Sequence, residues 1–194
     1  TSNHPVAATF MKNAVKNGKT LILIDPYRSD LARHADYYLQ FRSDTDVPLL
    51  NGIMHAIIEE NLHNQKYIER YTEGFLALKE CVEEYSPEKV APICGIPAAT
   101  IREVARVYAT SKGSMIFWGM GISQHIHGTD NARCLISLAL LTGQIGRPGC
   151  GLHPLRGQNN VQGASDVGLI PMVLPDYQPV NDDQARGRFE SLWD

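Results

Sequence analysis

Two short apolar runs constrain the fold of this chain most. Leu21–Ile24 and Ser114–Trp118 are four and five residues long, and each ends at once in a turn, Asp25-Pro26 or Gly119-Met120-Gly121. Apolar runs of that length, bounded by Pro and Gly, predict buried strands rather than helices. Helical spacing fills the intervals around them. Ala7 to Asn17 predicts a helix closed by Gly18, which suits a C-terminal cap, and it leads directly into the first run. Ser29 to His34 predicts a short helix and Tyr37–Phe41 a second short strand. Amphipathic helices are expected over Val47–Asn61, Gln65–Tyr71, Leu76–Tyr85 and Pro97–Thr110, with another short one opened by Ser86-Pro87. The third strand is followed by a long apolar helix from about Thr129 to Thr142, and Asp183 to Trp193 reads as a last helix.

This alternation predicts an α/β fold of three layers, a mostly parallel sheet with helices on both faces. In such sheets ligands bind at the carboxyl ends of the strands, so the strand ends are where chemistry is expected. The 16 charged side chains between residues 59 and 112 read as the solvated faces of the helices there. From residue 114 to 180 there are only six charges, and seven glycines fall between Gly143 and Gly168. Such a segment is too polar for a core and too uncharged for ordinary surface. It predicts a long Gly/Asn/Gln-rich loop pressed against a ligand or another domain. The expected division is an α/β domain over 1–152, then a loop and connector over 153–194. The chain starts at Thr1 without a Met and stops just after a helix, as a piece of a longer polypeptide would.

Composition narrows the partners. A net charge of -3 provides no basic field for a phosphate backbone, which argues against nucleic acid. No apolar stretch approaches the roughly 20 residues needed to cross a bilayer, and no signal peptide opens the chain, so no direct membrane insertion is expected. Cys81, Cys94, Cys134 and Cys150 are irregularly spaced with no CxxC pair, and read as reduced, mostly buried thiols rather than zinc or cluster ligands.

Three places carry candidate chemistry. Asp25, ending the first strand, could hold the hydroxyls of a ribose with Arg28 reaching a phosphate, or Asp25-Pro26 could simply start a turn. Asp46 stands before a helix as an N-cap would, and its carboxylate could instead accept from the paired N–H donors of a guanine edge. Gly119, Met120 and Gly121, followed by Gln124, His125 and His127, would let backbone approach a phosphate closely, although no GxGxxG is present. The two histidines read as hydrogen-bonding loop residues, since no Cys or carboxylate stands at metal-ligand spacing. Between His153 and Asp166, Arg156 is the one basic residue among neutral amides, suited to a single anion beside a heteroaromatic ring system.

The runs IDPYRSDLARHAD, TDVPLLNGIMHAIIEENL, WGMGISQHIHG, LLTGQIGRPGCGLHPLRGQNNVQGASDVG and LPDYQPV resemble the catalytic alpha subunit of molybdenum- or tungsten-dependent formate dehydrogenases, of the dimethyl sulfoxide reductase superfamily. The resemblance spans the chain, and RGQNNVQG is its most specific part. It implies an internal α/β domain that binds part of a bis(molybdopterin guanine dinucleotide) cofactor. Matched residue by residue, it implies that Asp25 and Arg28 sit near a guanosine end, that Asp46 reads a guanine, and that Gly119, Met120, Gly121 and Gln124 line the cofactor. It further implies that Arg156 orients formate, with Gly157, Gln158 and Asn159 against the pterin. The family pattern usually has glycine where this chain has Asp44. The family's [4Fe-4S] cluster cysteines, and its Cys or selenocysteine metal ligand, have no counterpart here, so the chain alone is expected to be inactive. Implied partners are formate, the remaining domains of the polypeptide and electron-transfer subunits; a cytoplasmic setting is expected, with a periplasmic one as the alternative. A non-catalytic electron-transfer scaffold, like the large subunit of NADH–quinone oxidoreductase, and a nitrate reductase are the alternatives; the retained RGQNNVQG argues against the scaffold.

Overall fold

A computed structural model of the chain describes residues 3–193. They fall into two units that divide between Leu155 and Arg156.

The first unit opens with helix α1 (Pro5–Lys16), whose end shows why the sequence stops it there. Gly18 takes φ +79°, and the N–H groups of Gly18 and Lys19 return to the carbonyls of Val15 and Ala14, closing a Schellman cap. The chain then enters β1 (Ile22–Ile24), passes through a single 3-10 turn at Asp30–His34, and returns as β2 (Tyr37–Leu39) parallel to β1, with Ile22 opposite Tyr37. Helices follow in succession: α2 (Asp46–Glu59), α3 (Gln65–Tyr71), α4 (Phe75–Val82), α5 (Pro87–Cys94) and α6 (Ala98–Thr110). Next come β3 (Met115–Trp118), the one-turn helix α7 (Met120–Ser123), the long α8 (Gly128–Thr142) and β4 (Gly151–Pro154), which pairs parallel to β3 with Met115 opposite Gly151.

The core is built around α2. Its buried Leu49, Leu50, Ile53, Met54, Ala56 and Ile57 cover so much of its circumference that it must be surrounded, and it packs on α4, α5, α6 and α8. Ile101, Val104 and Ala105 of α6, with Leu135, Leu138 and Leu141 of α8, complete the same apolar cluster. Each fully buried Leu or Ile contributes on the order of 1.5–3 kcal/mol relative to exposure. One buried polar side chain sets the β3–β4 pair in place. Gln144, 1% exposed, accepts from Ser114 N–H just before β3 at 3.0 Å and donates to the Ser111 carbonyl at 2.9 Å. Its oxygen also takes a guanidinium N–H of Arg147 at 2.9 Å and the thiol of Cys150, next to β4, at 3.2 Å.

The second unit holds α9 (Val161–Asp166), the short antiparallel pair β5 (Val173–Leu174) and β6 (Gln178–Pro179), and α10 (Asp183–Trp193). Asn160 caps α9 from a left-handed conformation, φ +49°, its side chain accepting from Gly163 N–H. Tyr177 and Gln162 both donate to Asp166 Oδ1, each at 2.9 Å, joining α9 to the turn before β6.

The fold is mixed α/β but mostly helical, with 55% of residues in helices, and the expected three-layer sheet is not formed. The described strands make three separate two-stranded sheets, two parallel and one antiparallel. Five successive helices lie in sequence between β2 and β3 and close their core around α2, and among the described strands β1 pairs with β2 alone and β3 with β4 alone. The Gly-rich segment expected as one loop contains β4, α9 and the β5–β6 pair. All four cysteines are unpaired; Cys94 and Cys134 are buried, Cys150 is half-buried and Cys81 is exposed. Among the described residues no helix is long and apolar enough to cross a membrane.

Candidate cofactor-binding site

In the first unit the candidate residues gather into two groups at the carboxyl ends of parallel strands. Directly after β1, Asp25 Oδ1 accepts from Tyr27 N–H at 2.8 Å, which is the turn role open to an Asp-Pro pair. The Arg28 guanidinium lies 5.6 Å from the ring centre of Tyr38, the middle residue of β2. The Tyr38 hydroxyl is buried without a hydrogen-bond partner, and burial with the nearby Asp25 carboxylate raises its pKa above the ordinary phenol value. An acid, a guanidinium and an unsatisfied hydroxyl thus share one strand end. A ligand that brings both hydroxyl and phosphate groups would satisfy all three.

The second group joins the segment after β2 to the segment after β3. Asp46 is the first residue of α2, 6% exposed, and Thr45 rather than Asp46 is the N-cap. Burial pushes the Asp46 carboxyl above the usual carboxylate range, offset in part by its own backbone N–H and by the nearby His125. Two residues earlier, Asp44 adopts φ +64°, the left-handed region that favours glycine. His125 Nδ1 lies 2.8 Å from the Asp44 carboxylate Oδ1, and His125 Nε2 lies 2.6 Å from the Gly121 carbonyl oxygen, so that each ring nitrogen faces an acceptor. Those two acceptors raise the His125 pKa above the ordinary imidazole value.

The turn that carries Gly119, Met120, Gly121 and Gln124 is fixed by α8. Gly128, the first residue of α8, is buried against the backbone of Ser123, and a Cβ there would overlap the Ser123 carbonyl oxygen. Asn131, 3% exposed, donates to the Ile122 carbonyl at 2.9 Å. Met120, Gly121 and Gln124 remain exposed, and a Cβ at Gly121 would meet nothing within 4 Å.

Asp44 and Asp46 also stand at one end of a cleft of about 490 Å³ between α2, α4 and α8, lined further by Asn51, Met54, Cys81 and Cys134. Asp25 and Arg28 do not line it. The Cys134 thiol donates to Asn51 Oδ1 at 3.5 Å, and burial pushes its pKa up to about 11, leaving it an inert thiol. Arg156, Gly157, Gln158 and Asn159 open the second unit, all exposed. In sequence, then, each of the four parallel strands is followed by a candidate group: β1 by Asp25 and Arg28, β2 by Asp46, β3 by the Gly119–Gln124 turn and β4 by Arg156. Among the described residues no cluster of His, Cys, Asp and Glu could hold a metal ion. His125 and Asp44 as a bonded pair, Tyr38 and Gly128 are the site residues that sequence reasoning misses. The positive φ at Asp44 was foreshadowed by the glycine usual at that position.

The profile of one protein family, described as molybdopterin oxidoreductase, matches residues 1–188. This chain belongs to the molybdopterin oxidoreductase family. It is 44% identical to formate dehydrogenase H of Escherichia coli (strain K12) over 98% of its own length and 27% of that protein. It is 43% identical to the F420-dependent formate dehydrogenase subunit alpha of Methanocaldococcus jannaschii, over 98% of the chain and 28% of the relative. Among solved structures it is similar to the acetylene hydratase from Pelobacter acetylenicus, with a TM-score of 0.68 and 34% identity over 71% of this chain and 19% of that one. The molybdopterin oxidoreductase chain thus spans just over a quarter of the length of the curated relatives it matches. That membership implies a molybdopterin cofactor in the whole protein.

Proposed function

We propose that this chain is the part of a formate dehydrogenase catalytic subunit that binds a bis(molybdopterin guanine dinucleotide) cofactor and orients formate. The observation that carries the reading is the match to formate dehydrogenases along nearly the whole chain, together with a candidate group after every parallel strand. The residues fit the group. The unsatisfied Tyr38 hydroxyl beside Asp25 and Arg28 suits a ribose and phosphate, and Asp46 gains two donors from a guanine that would repay the desolvation of its carboxylate. Gly119, Met120, Gly121 and Gln124 present backbone to the cofactor, and Gly157, Gln158 and Asn159 present small and amide groups to the pterin. When bound, the molybdenum or tungsten cofactor accepts the two electrons of formate oxidation, and a [4Fe-4S] cluster held by another part of the polypeptide passes them to electron-transfer subunits.

Arg156 holds the substrate. A guanidinium grips both carboxylate oxygens of formate with two parallel N–H donors and leaves the C–H bond directed away from it. Breaking that bond releases carbon dioxide, one proton and two electrons. In the enzyme that carries this chain, Arg156→Ala should lower formate-dependent dye reduction at least about a hundredfold with the metal content unchanged. Unchanged activity sinks the role of Arg156. An unmutated enzyme that contains molybdenum or tungsten but ignores formate moves the substrate to another member of the family, and one that contains neither metal favours the electron-transfer scaffold.

A further inference from the structure

His125 belongs to no role described so far, yet its ring joins the segment between β2 and α2 to the α7 turn that follows β3. Both ring nitrogens face oxygens that can only accept, a carboxylate and a backbone carbonyl. A neutral imidazole has a single N–H and can satisfy one of them; only the imidazolium satisfies both. We propose that His125 is a positioning residue for the cofactor-facing loops, an imidazolium that clasps the Asp44 carboxylate with one N–H and the Gly121 carbonyl with the other. The proposal rests on the reading above, that these loops face the dinucleotide cofactor.

The surroundings favour the clasp. The charged groups facing the ring are Asp44 and, more distantly, Asp46, both acidic. At the start of α8, the helix packed against α7, Arg133 lies 3.4 Å from Asp130, and the His127 ring lies 3.9 Å from the same carboxylate. Asp44 itself occupies a backbone conformation that glycine would adopt without strain, and its side chain is the gain that offsets the strain. Clasped, the ring fixes the carbonyl of Gly121 and sets a positive charge beside the buried Asp46 carboxylate, helping it stay ionised for a guanine edge. Losing the proton breaks one of the two bonds and removes that charge. The clasp is therefore complete at low pH and opens as pH rises through the raised pKa of His125.

Asp44→Gly separates the clasp from folding, because glycine relieves the backbone at φ +64° while deleting the acceptor. Two measurements test the proposal. In the chain itself, long-range 1H–15N spectra of the histidine ring should show both nitrogens of His125 protonated at neutral pH, and an ordinary imidazole titration in Asp44→Gly. A single-tautomer neutral ring overturns the clasp. In the cofactor-loaded enzyme, the rate at which guanine nucleotide is lost on dilution should rise about fivefold from about pH 6 to about pH 9 in the unmutated protein, and in Asp44→Gly the rise should be smaller and shifted to lower pH, where the unclasped ring loses its proton. Identical pH profiles overturn the positioning role, since a purely structural contact would change the rate without changing its pH dependence. An enzyme with no guanine nucleotide in it overturns the functional reading, and with it the positioning role, while the ring's protonation state is decided separately by the spectra.

Discussion

At the scale of single residues, the site depends on positions that carry no reactive group. Gly128 shows this most clearly. Its Cα lies so close to the Ser123 carbonyl that no side chain fits, and the obstacle is backbone, which cannot rotate away as a flexible side chain can. The α7–α8 corner, and with it the turn that presents Gly119 to Gln124, requires glycine there. Gly128→Ala is therefore expected to destabilise the chain by about 3 kcal/mol or more, against a helix propensity that by itself favours Ala. Urea unfolding monitored by circular dichroism measures it; a stabilised Gly128→Ala would mean that the corner is looser than described. Asp44 makes the complementary point. It adopts a glycine-like conformation with a carboxylate attached, and the His125 bond explains why the acid can stand there.

At the scale of elements, what the sequence revealed depended on whether a local rule governed the element. The helices from α2 to α6, and α10, lie within a few residues of their expected ranges, because Pro, Gly and apolar spacing mark them from within. The strands were legible as strands, but their assembly was not. Parallel pairing is decided by which distant segments the helices allow to meet, and no residue in Leu21–Ile24 encodes its partner. The candidate groups were legible by type, since an acid, an arginine and glycines at strand ends follow from chemistry, while their links were not. Nothing in a sequence shows that Asp44 and His125, 81 positions apart, share a hydrogen bond. β4 and α9 were hidden in the Gly/Asn/Gln-rich segment for a similar reason, and β4 forms there because it is held from outside. Gln144 ties its start to the approach of β3 through one buried amide, whose oxygen serves three donors. Gln144→Leu removes that acceptor from partners that are at most half-buried and is expected to lower stability by about 1–3 kcal/mol, with faster amide exchange in Met115–Trp118 and Gly151–Pro154 than elsewhere in the chain. Uniform exchange across the mutant would show that the β3–β4 pair stands without it.

At the scale of the whole molecule, the two units differ in how they can be stable. Every residue of the buried apolar cluster lies between Leu39 and Leu141, inside the first unit. Among the described residues of the second unit only Ala185 is buried, and Leu169, Met172, Leu192 and Trp193 are exposed. A cooperative unfolding transition requires apolar burial to offset chain entropy, and the second unit does not contain enough to offset the ordering of some 40 residues. Its order comes from local devices, the Asn160 cap and the Asp166 bonds to Tyr177 and Gln162, which are exposed and worth little singly. Two of its non-glycine residues, Asp176 and Tyr177, also stand in succession at positive φ, a strain such devices hold only weakly. Calorimetry of the chain should therefore show one transition belonging to the first unit, and truncation after Leu155 should shift its Tm by no more than about 3 °C. Amide exchange in residues 156–193 should be fast under conditions where α2 is fully protected. Two separate transitions, or a large loss of Tm on truncation, would mean that the segment beginning at Arg156 carries stability of its own. If the exchange is fast, the order that Arg156 needs in order to hold a small carboxylate is supplied when the cofactor binds, and the arginine is placed by its ligand rather than by the fold.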